Sequence, residues 1–218
     1  MKTNSIKSLL AAVAALAVST SAYADFTMTF DSGPLSTELS GFQWTAGPAG
    51  WAGGGAAQST STAMGWQGWV NVISFDLASG HQPDMTAIAA SGNGRISFDI
   101  LFDSTSLTSG ASGWYGGSLA FNSSGGAGWT QFDNPAPWGD NIPDPVGLIV
   151  KHFDYSFAQA GWTPGTSWFQ LNISGNGNGT TVENFYLDNL SVYSVPEPST
   201  FALAGLGSAA LLIFRRRK

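Results

Sequence analysis

Five segments of the chain alternate apolar and polar residues with a period of two: Phe26-Thr27-Met28-Thr29-Phe30, Val70 to Leu77, Arg95 to Ile100, Trp168 to Ile173, and Phe185 to Tyr193. Successive side chains of an extended strand point to opposite faces, so each segment predicts a β-strand with one buried face. The segments are separated by clusters such as Gly53-Gly54-Gly55, Ser123-Ser124-Gly125-Gly126 and Gly175-Asn176-Gly177-Asn178-Gly179. These read as turns, because glycine and asparagine accept the backbone angles that turns demand. No stretch between the termini keeps a helical period over three turns. Short strands divided by turns, with no strand-helix alternation, predict an all-β antiparallel β-sandwich of jelly-roll type.

Both ends depart from this pattern. Lys2 and Lys7 precede an apolar run from Leu9 to Val18, and Ala22-Tyr23-Ala24 has the small-x-small form of a cleavage site. This predicts a signal peptide over residues 1–24, removed by signal peptidase to leave Asp25 first. At the other end, Pro196-Glu197-Pro198 breaks regular structure, since proline fixes its own φ and drives its predecessor towards extended backbone. An uncharged segment over 199–214 follows, then Arg215-Arg216-Arg217-Lys218. The segment is expected to be a single transmembrane helix with its cations on the cytoplasmic side. It is short for a membrane span, since the apolar part from Phe201 to Phe214 extends about 21 Å as a helix, against a hydrocarbon core of about 30 Å. Residues 25–194 then form the β-sandwich domain, facing the periplasm or the outside.

The charge balance of that domain differs from the chain's net −6. Six of the eight basic residues lie in the two ends, leaving Arg95 and Lys151 against thirteen acids, a net −11. Nucleic acid and anionic lipid are therefore poor partners for the domain, because phosphate binding depends on clustered Lys and Arg. The chain has no cysteine, so neither disulfides nor thiol catalysis enter.

Proline-flanked Glu197, apolar segment and terminal cations, in that order over residues 195 to 218, resemble the PEP-CTERM sorting domain of exopolysaccharide-producing Gram-negative bacteria, also called the ice-binding protein C-terminal domain. The resemblance implies a precursor anchored in the inner membrane. An exosortase-type transpeptidase would act near Pro196, Glu197 and Pro198, with final placement at the cell surface or in the extracellular matrix. Ice binding rests on the name alone, because the sequence has no regular Thr-x-Thr array. A second resemblance rests on Phe185-Tyr186-Leu187-Asp188-Asn189-Leu190-Ser191-Val192, preceded by Trp168-Phe169-Gln170-Leu171-Asn172-Ile173. These look like the closing strands of carbohydrate-binding-module jelly rolls of the galactose-binding-like type. That likeness implies a structural calcium held by Asp188 with Asp31, and oxygen ligands of this kind suit the ion.

Eight of the nine tryptophans (Trp44, Trp51, Trp66, Trp69, Trp114, Trp129, Trp138 and Trp162) lie near glycines in loop-like surroundings. Sugar sites combine aromatic walls with a few placed polar groups, so the preferred ligand-binding set is Trp114 with Tyr115, Trp129 with Gln131, and Trp138 with Asp140 and Asn141. The competing use of tryptophan is as core filler. The proline-rich loop from Phe132 to Pro145 reads as a rigid surface loop; it lacks the spacing of an EF-hand.

Asp99, Asp103, Asp154 and Glu183 could supply the two carboxylates of a glycosidase, but thirteen acids make such a pair easy to find. His81 and His152 show no ligand spacing, and the nucleophile-elbow, zinc-protease and phosphate-loop motifs are absent. No catalytic residue is named. The expectation is an exported, non-catalytic protein that associates with extracellular polysaccharide. The alternatives are a structural or adhesive matrix protein without a sugar site, and then a glycan-active enzyme. Solvent-facing tryptophans gathered on one face favour binding; buried ones favour the structural role.

Overall fold

Strand β1 (Phe26–Met28) opens the fold by pairing antiparallel with the last strand, β12 (Tyr186–Ser194), in the register Phe26 to Val192. The computed structural model describes residues 25–60, 69, 71–103, 113–133, 135, 141–142, 147–177 and 185–195, with backbone alone at 103, 113–115, 141–142 and 176–177. Ala24–Ser194 forms one compact unit; the other, Met1–Tyr23 with Val195–Lys218, lies outside the described residues apart from Val195. The expected signal peptide and the helix over 199–214 therefore lie outside them too. Among the described residues no helix is long and apolar enough to cross a membrane.

The remaining elements are β2 (Leu39–Ser40), β3 (Phe42–Thr45), β4 (Ala56–Ser59), β5 (Asn71–Phe75), α1 (Gln82–Ser91), β6 (Gly94–Asp103), β7 (Gly113–Ser123), β8 (Trp129–Asp133), β9 (Asn141–Ile142), β10 (Leu148–Ser156) and β11 (Phe169–Gly177). They build two antiparallel sheets. Sheet A runs β10-β6-β12-β4-β3 with β1 also on β12; sheet B runs β2-β5-β11-β7-β8 with β9 also on β7. All five predicted strands are present, as β1, β5, β6, β11 and β12. The expected antiparallel β-sheet architecture is what forms.

Alternation explains which face of each strand is buried. Ile96, Phe98 and Ile100 of β6 join Leu119 and Phe121 of β7, Phe169, Leu171 and Ile173 of β11, and Leu187, Leu190 and Val192 of β12 in one apolar core. Leu187 and Leu190 are three apart, which strict alternation would send to opposite faces. A register shift between Asp188 and Ser191 reconciles them: Asn189 adopts φ 50, a left-handed conformation that asparagine tolerates, and the strand bulges there. Asp188 is thereby kept on the outer face of sheet A.

Two departures from the sequence reading have physical causes. The run Gly175-Asn176-Gly177, expected as a turn, continues β11, because Gly175 and Asn176 pair opposite Gly117 and Gly116 of β7. Glycine faces glycine, so the weak strand former costs no side-chain packing there. The second is α1, which breaks the expected absence of helix. It spans 10 residues with proline in its first turn, and it ends at Gly92, whose φ of 76 closes the cap through Gly92 N–H to Ala89 O at 3.2 Å. Met85, Ile88 and Ala89 stack one turn apart and bury into the core.

The start of α1 is pinned by Glu38, a residue the sequence reading passed over. Its carboxylate is buried beside β2 and accepts bonds from Ser36 Oγ at 2.9 Å, from Ser79 Oγ, from His81 N–H at 3.2 Å and from His81 Nδ1 at 2.8 Å. The His81 ring stacks on Phe26 with centroids 4.3 Å apart, joining the helix start to β1. The two ends of the domain are also tied, since Asp25 Oδ1 accepts the Ser194 N–H at 2.9 Å.

Burial alone would raise the pKa of Glu38, but the bonds from Ser79, His81 and Ser36 outweigh it and hold it below its ordinary value. The folded state therefore favours the ionised form. The resulting stability is present above pH about 4.5 and is lost as pH falls through the lowered pKa. Glu38→Gln is expected to cost about 1–3 kcal/mol at neutral pH, read by urea denaturation, and to flatten the decline in stability below pH about 4.5.

Candidate functional site

The face of sheet B that points away from the core carries polar residues at most of its alternate positions, with Val72 and Ala120 among them and with Ala120, Ser118, Asn172 and Ser174 buried. In β8 Phe132 packs against the core, whereas Trp129, Gln131 and Asp133 are exposed. Trp129 stands directly opposite Asn122 of β7, Asn122 opposite Gln170 of β11, and Gln170 opposite Ser74 of β5. Directly opposed residues share a face, so these four form one row across four strands, about 14 Å long at the usual strand spacing.

Hydrogen bonds fix the side chains of this face. Asn122 Nδ2 donates to Gln170 Oε1 at 3.4 Å, and Gln170 Nε2 donates to Ser74 Oγ at 3.0 Å. Along β8 a second relay runs from Trp129 Nε1 to Gln131 Oε1 at 3.2 Å and from Gln131 Nε2 to Asp133 Oδ1 at 2.7 Å. Ser118 Oγ donates to the same Asp133 oxygen at 2.8 Å. The bonds from Gln131 and Ser118 lower the pKa of Asp133 and keep it ionised. Trp69 meets Trp129 edge to face with ring centroids 5.4 Å apart, while 44% of Trp129 stays exposed.

Of the predicted ligand-binding residues, Trp129 and Gln131 are brought together. Trp114 and Tyr115 lie on the backbone of β7, with Trp114 paired opposite Asn141 of β9, so those two positions also meet. Trp138 and Asp140 lie outside the described residues, as does Trp66. The loop-like setting expected for the tryptophans holds only in part. Trp44, Trp114 and Trp129 sit in strands, and Trp162 is core, 2% exposed, with its Nε1 bonded to Asn122 O at 3.1 Å. Asn122, Gln170, Ser74 and Asp133 were not singled out from sequence. Their signal was present as the polar half of the alternation that predicted the strands.

The outer face of sheet A carries the acids. Asp188 of β12 lies opposite Asp99 of β6, and Asp99 lies opposite His152 of β10. Asp99 accepts from His152 Nδ1 at 2.7 Å and from Asn189 Nδ2 at 2.8 Å. Asp154 is taken by Arg95 Nε at 2.9 Å and by Tyr193 OH at 3.3 Å. Asp103 is in β6 opposite Leu148, and Glu183 lies outside the described residues.

Asp188 is only 1% exposed, because the β3–β4 loop folds over it: Trp51 Nε1 donates to Asp188 Oδ2 at 3.0 Å, and Asn189 N–H donates to Oδ1 at 2.7 Å. The same loop presses on Asp31, since a Cβ on Gly54 would come within 2.8 Å of its Oδ1. Gly55 next to it has no room for a side chain; a Cβ would sit 2.2 Å from Phe30 O. Burial raises the Asp188 pKa, the bonds from Asn189 and Trp51 oppose that, and Asp31 and Asp99 add charge repulsion, for a value pushed up to about 6. Calcium takes about six to eight oxygens. Both Asp188 oxygens accept hydrogen bonds within the protein, and among the described residues no group of three or more His, Asp or Glu could hold a metal ion.

The fold and this face define an all-β domain with a polar, aromatic-anchored sheet surface. Residues 194–218 match the PEP-CTERM protein-sorting motif, so the chain carries the sorting tail of an exported protein. No curated protein matches the chain. Among solved structures it is similar to a family 27 carbohydrate-binding module of Caldicellulosiruptor saccharolyticus in complex with mannohexaose, at 12% identity and TM-score 0.43, covering 77% of this chain and 96% of that one. It is also similar to a family 22 xylan-binding domain of Paenibacillus barcinonensis, at 13% identity and TM-score 0.41, covering 78% and 93%. A third is the K1 cleaved adhesin domain of Lys-gingipain from Porphyromonas gingivalis, at 14% identity and TM-score 0.41, covering 79% and 99%.

Because the folded pKa of Asp188 lies above its ordinary value of 3.8, its contribution to stability is present at low pH and is lost as pH rises through about 6. Carboxyl carbon NMR is expected to show Asp188 titrating at about 6. Trp51→Phe removes a bond to the ionised form and is expected to move that midpoint higher still.

Proposed function

We propose that this is an exported, non-catalytic protein of the cell surface or extracellular matrix that holds extracellular polysaccharide on the outer face of sheet B. The observation that carries the reading is the row of Trp129, Asn122, Gln170 and Ser74, an exposed indole beside fixed amides. A pyranose presents an apolar face that stacks on an indole and hydroxyls that pair with amides, which are donor and acceptor at once. The sorting tail over 194–218 supports the location. In this reading signal peptidase cuts after Ala24, the inner membrane holds the precursor through 199–214, and an exosortase-type enzyme acts at Pro196 to Pro198. Asp99 and Asp154, two of the acids a glycosidase could use, are hydrogen-bonded to His152 and Asn189 and to Arg95 and Tyr193.

A structural calcium held by Asp31 and Asp188 belongs to the same reading. Its support is the charge repulsion that Asp31 and Asp99 exert on Asp188, which a divalent cation would relieve. Calcium is expected to raise the melting temperature at pH 7 and to abolish the titration of Asp188 near pH 6. An equal rise in Asp188→Ala would remove the ion from this position.

Binding is tested with the producer's own polysaccharide and intrinsic tryptophan fluorescence. Saturable binding that perturbs the emission, and a loss of about tenfold or more in Trp129→Ala with the circular dichroism spectrum unchanged, is the expected result. Retained affinity in Trp129→Ala would move the site elsewhere. No binding by folded protein would favour a structural matrix role.

A further inference from the structure

The proposed polysaccharide face has a charge signature that narrows its ligand, a selection that rests on the polysaccharide-binding role. The domain holds two basic residues, Arg95 on β6 and Lys151 on β10, and both strands belong to sheet A. No strand of sheet B carries a lysine or arginine. The face instead presents the amides of Gln131, Asn122 and Gln170, the Ser74 hydroxyl, the Trp129 indole and the Asp133 carboxylate. Two donors converge on one oxygen of Asp133, from Gln131 at 2.7 Å and from Ser118 at 2.8 Å, and both bonds suit the ionised acid.

The amides are oriented and still have capacity. Gln131 accepts from Trp129 and donates once to Asp133, which among the described residues leaves one N–H and one lone pair for a ligand. Gln170 accepts from Asn122 and donates once to Ser74, leaving the same pair among the described residues. Such groups match hydroxyls, each of which is also donor and acceptor. A carboxylate or sulfate on the glycan would be desolvated against this face with no cation to offset the cost. It would also face Asp133 within a domain of net charge −11.

We infer that the outer face of sheet B selects an uncharged polysaccharide and rejects uronate- and sulfate-bearing ones, with Asp133 as the residue that sets this specificity. Asp133 acts twice: its charge repels anionic glycans, and its bond to Gln131 holds the relay that positions Trp129.

The experiment uses the full chain in a detergent without a sugar headgroup. Isothermal titration and affinity electrophoresis are run against mannan, xylan and a mixed-linkage glucan, and against polygalacturonate, alginate and dextran sulfate. At least one neutral glycan is expected to bind with an affinity that changes less than about twofold over a roughly tenfold range of salt. The anionic polymers are expected to bind at least about tenfold more weakly at low salt, with the gap closing as salt screens the repulsion. Asp133→Lys is expected to narrow that gap by about tenfold; Gln131→Lys, which leaves the Ser118 to Asp133 bond in place, serves if the first variant fails to fold. Polyuronate bound as tightly as the neutral glycans, with binding still lost in Trp129→Ala, would overturn the charge selection and leave the polysaccharide face standing. Absence of binding to all six polymers by folded protein would overturn both.

Discussion

The architecture depends on the bulge in β12. That strand pairs with β6 along one edge and with both β1 and β4 along the other, so an error in its register would propagate through sheet A. The sequence Leu187-Asp188-Asn189-Leu190-Ser191-Val192 cannot place all three of its apolar residues inwards by alternation alone. One asparagine at φ 50 absorbs the mismatch. Leu187, Leu190 and Val192 then reach the core, and Asp188 turns outwards opposite Asp99. Packing on one side of the strand and the acid pair on the other both follow from that single residue.

Exported domains commonly rely on disulfides, and this one has none. Its substitutes are aromatic packing and buried polar fasteners. Phe121 packs edge on against Tyr155 and Trp162, and Trp162 against Phe157 and Phe169, which links both sheets and the β10–β11 connection. Glu38 ties the start of the helix to β2, and Trp51 fastens a glycine-rich loop onto Asp188. Each fastener joins elements distant in sequence, which suits a chain whose local propensities are weakened by its 28 glycines.

The strands most legible from sequence were those with strict alternation and a β-branched or aromatic inner face, as in Arg95 to Ile100 and Trp168 to Ile173. Strand β7 was hidden because Gly113, Gly116 and Gly117 resemble loop residues until their place opposite the glycine-rich end of β11 is known. Strand β10 was hidden by Lys151, which interrupts its pattern. The helix had local signals in Pro83, Gly92 and the spacing of Met85, Ile88 and Ala89, but its brevity kept it below the length at which period decides. For the candidate site, the sequence pointed to Trp129 and Gln131 as a pair. It could not show that Asn122, Gln170 and Ser74 line up beside them, since that depends on register across four strands.

The bond between Asp25 and Ser194 closes the domain at the point where the sorting tail departs. In the proposed reading, a protein anchored through that tail and holding a polymer on sheet B takes up any tension between the two through the end of β12. Because β12 is hydrogen-bonded along both edges, a pull along its axis loads many ladder bonds in parallel instead of opening them one at a time. The geometry is that of a shear joint, so the strand at whose end the sorting motif begins is also one seated to bear mechanical force.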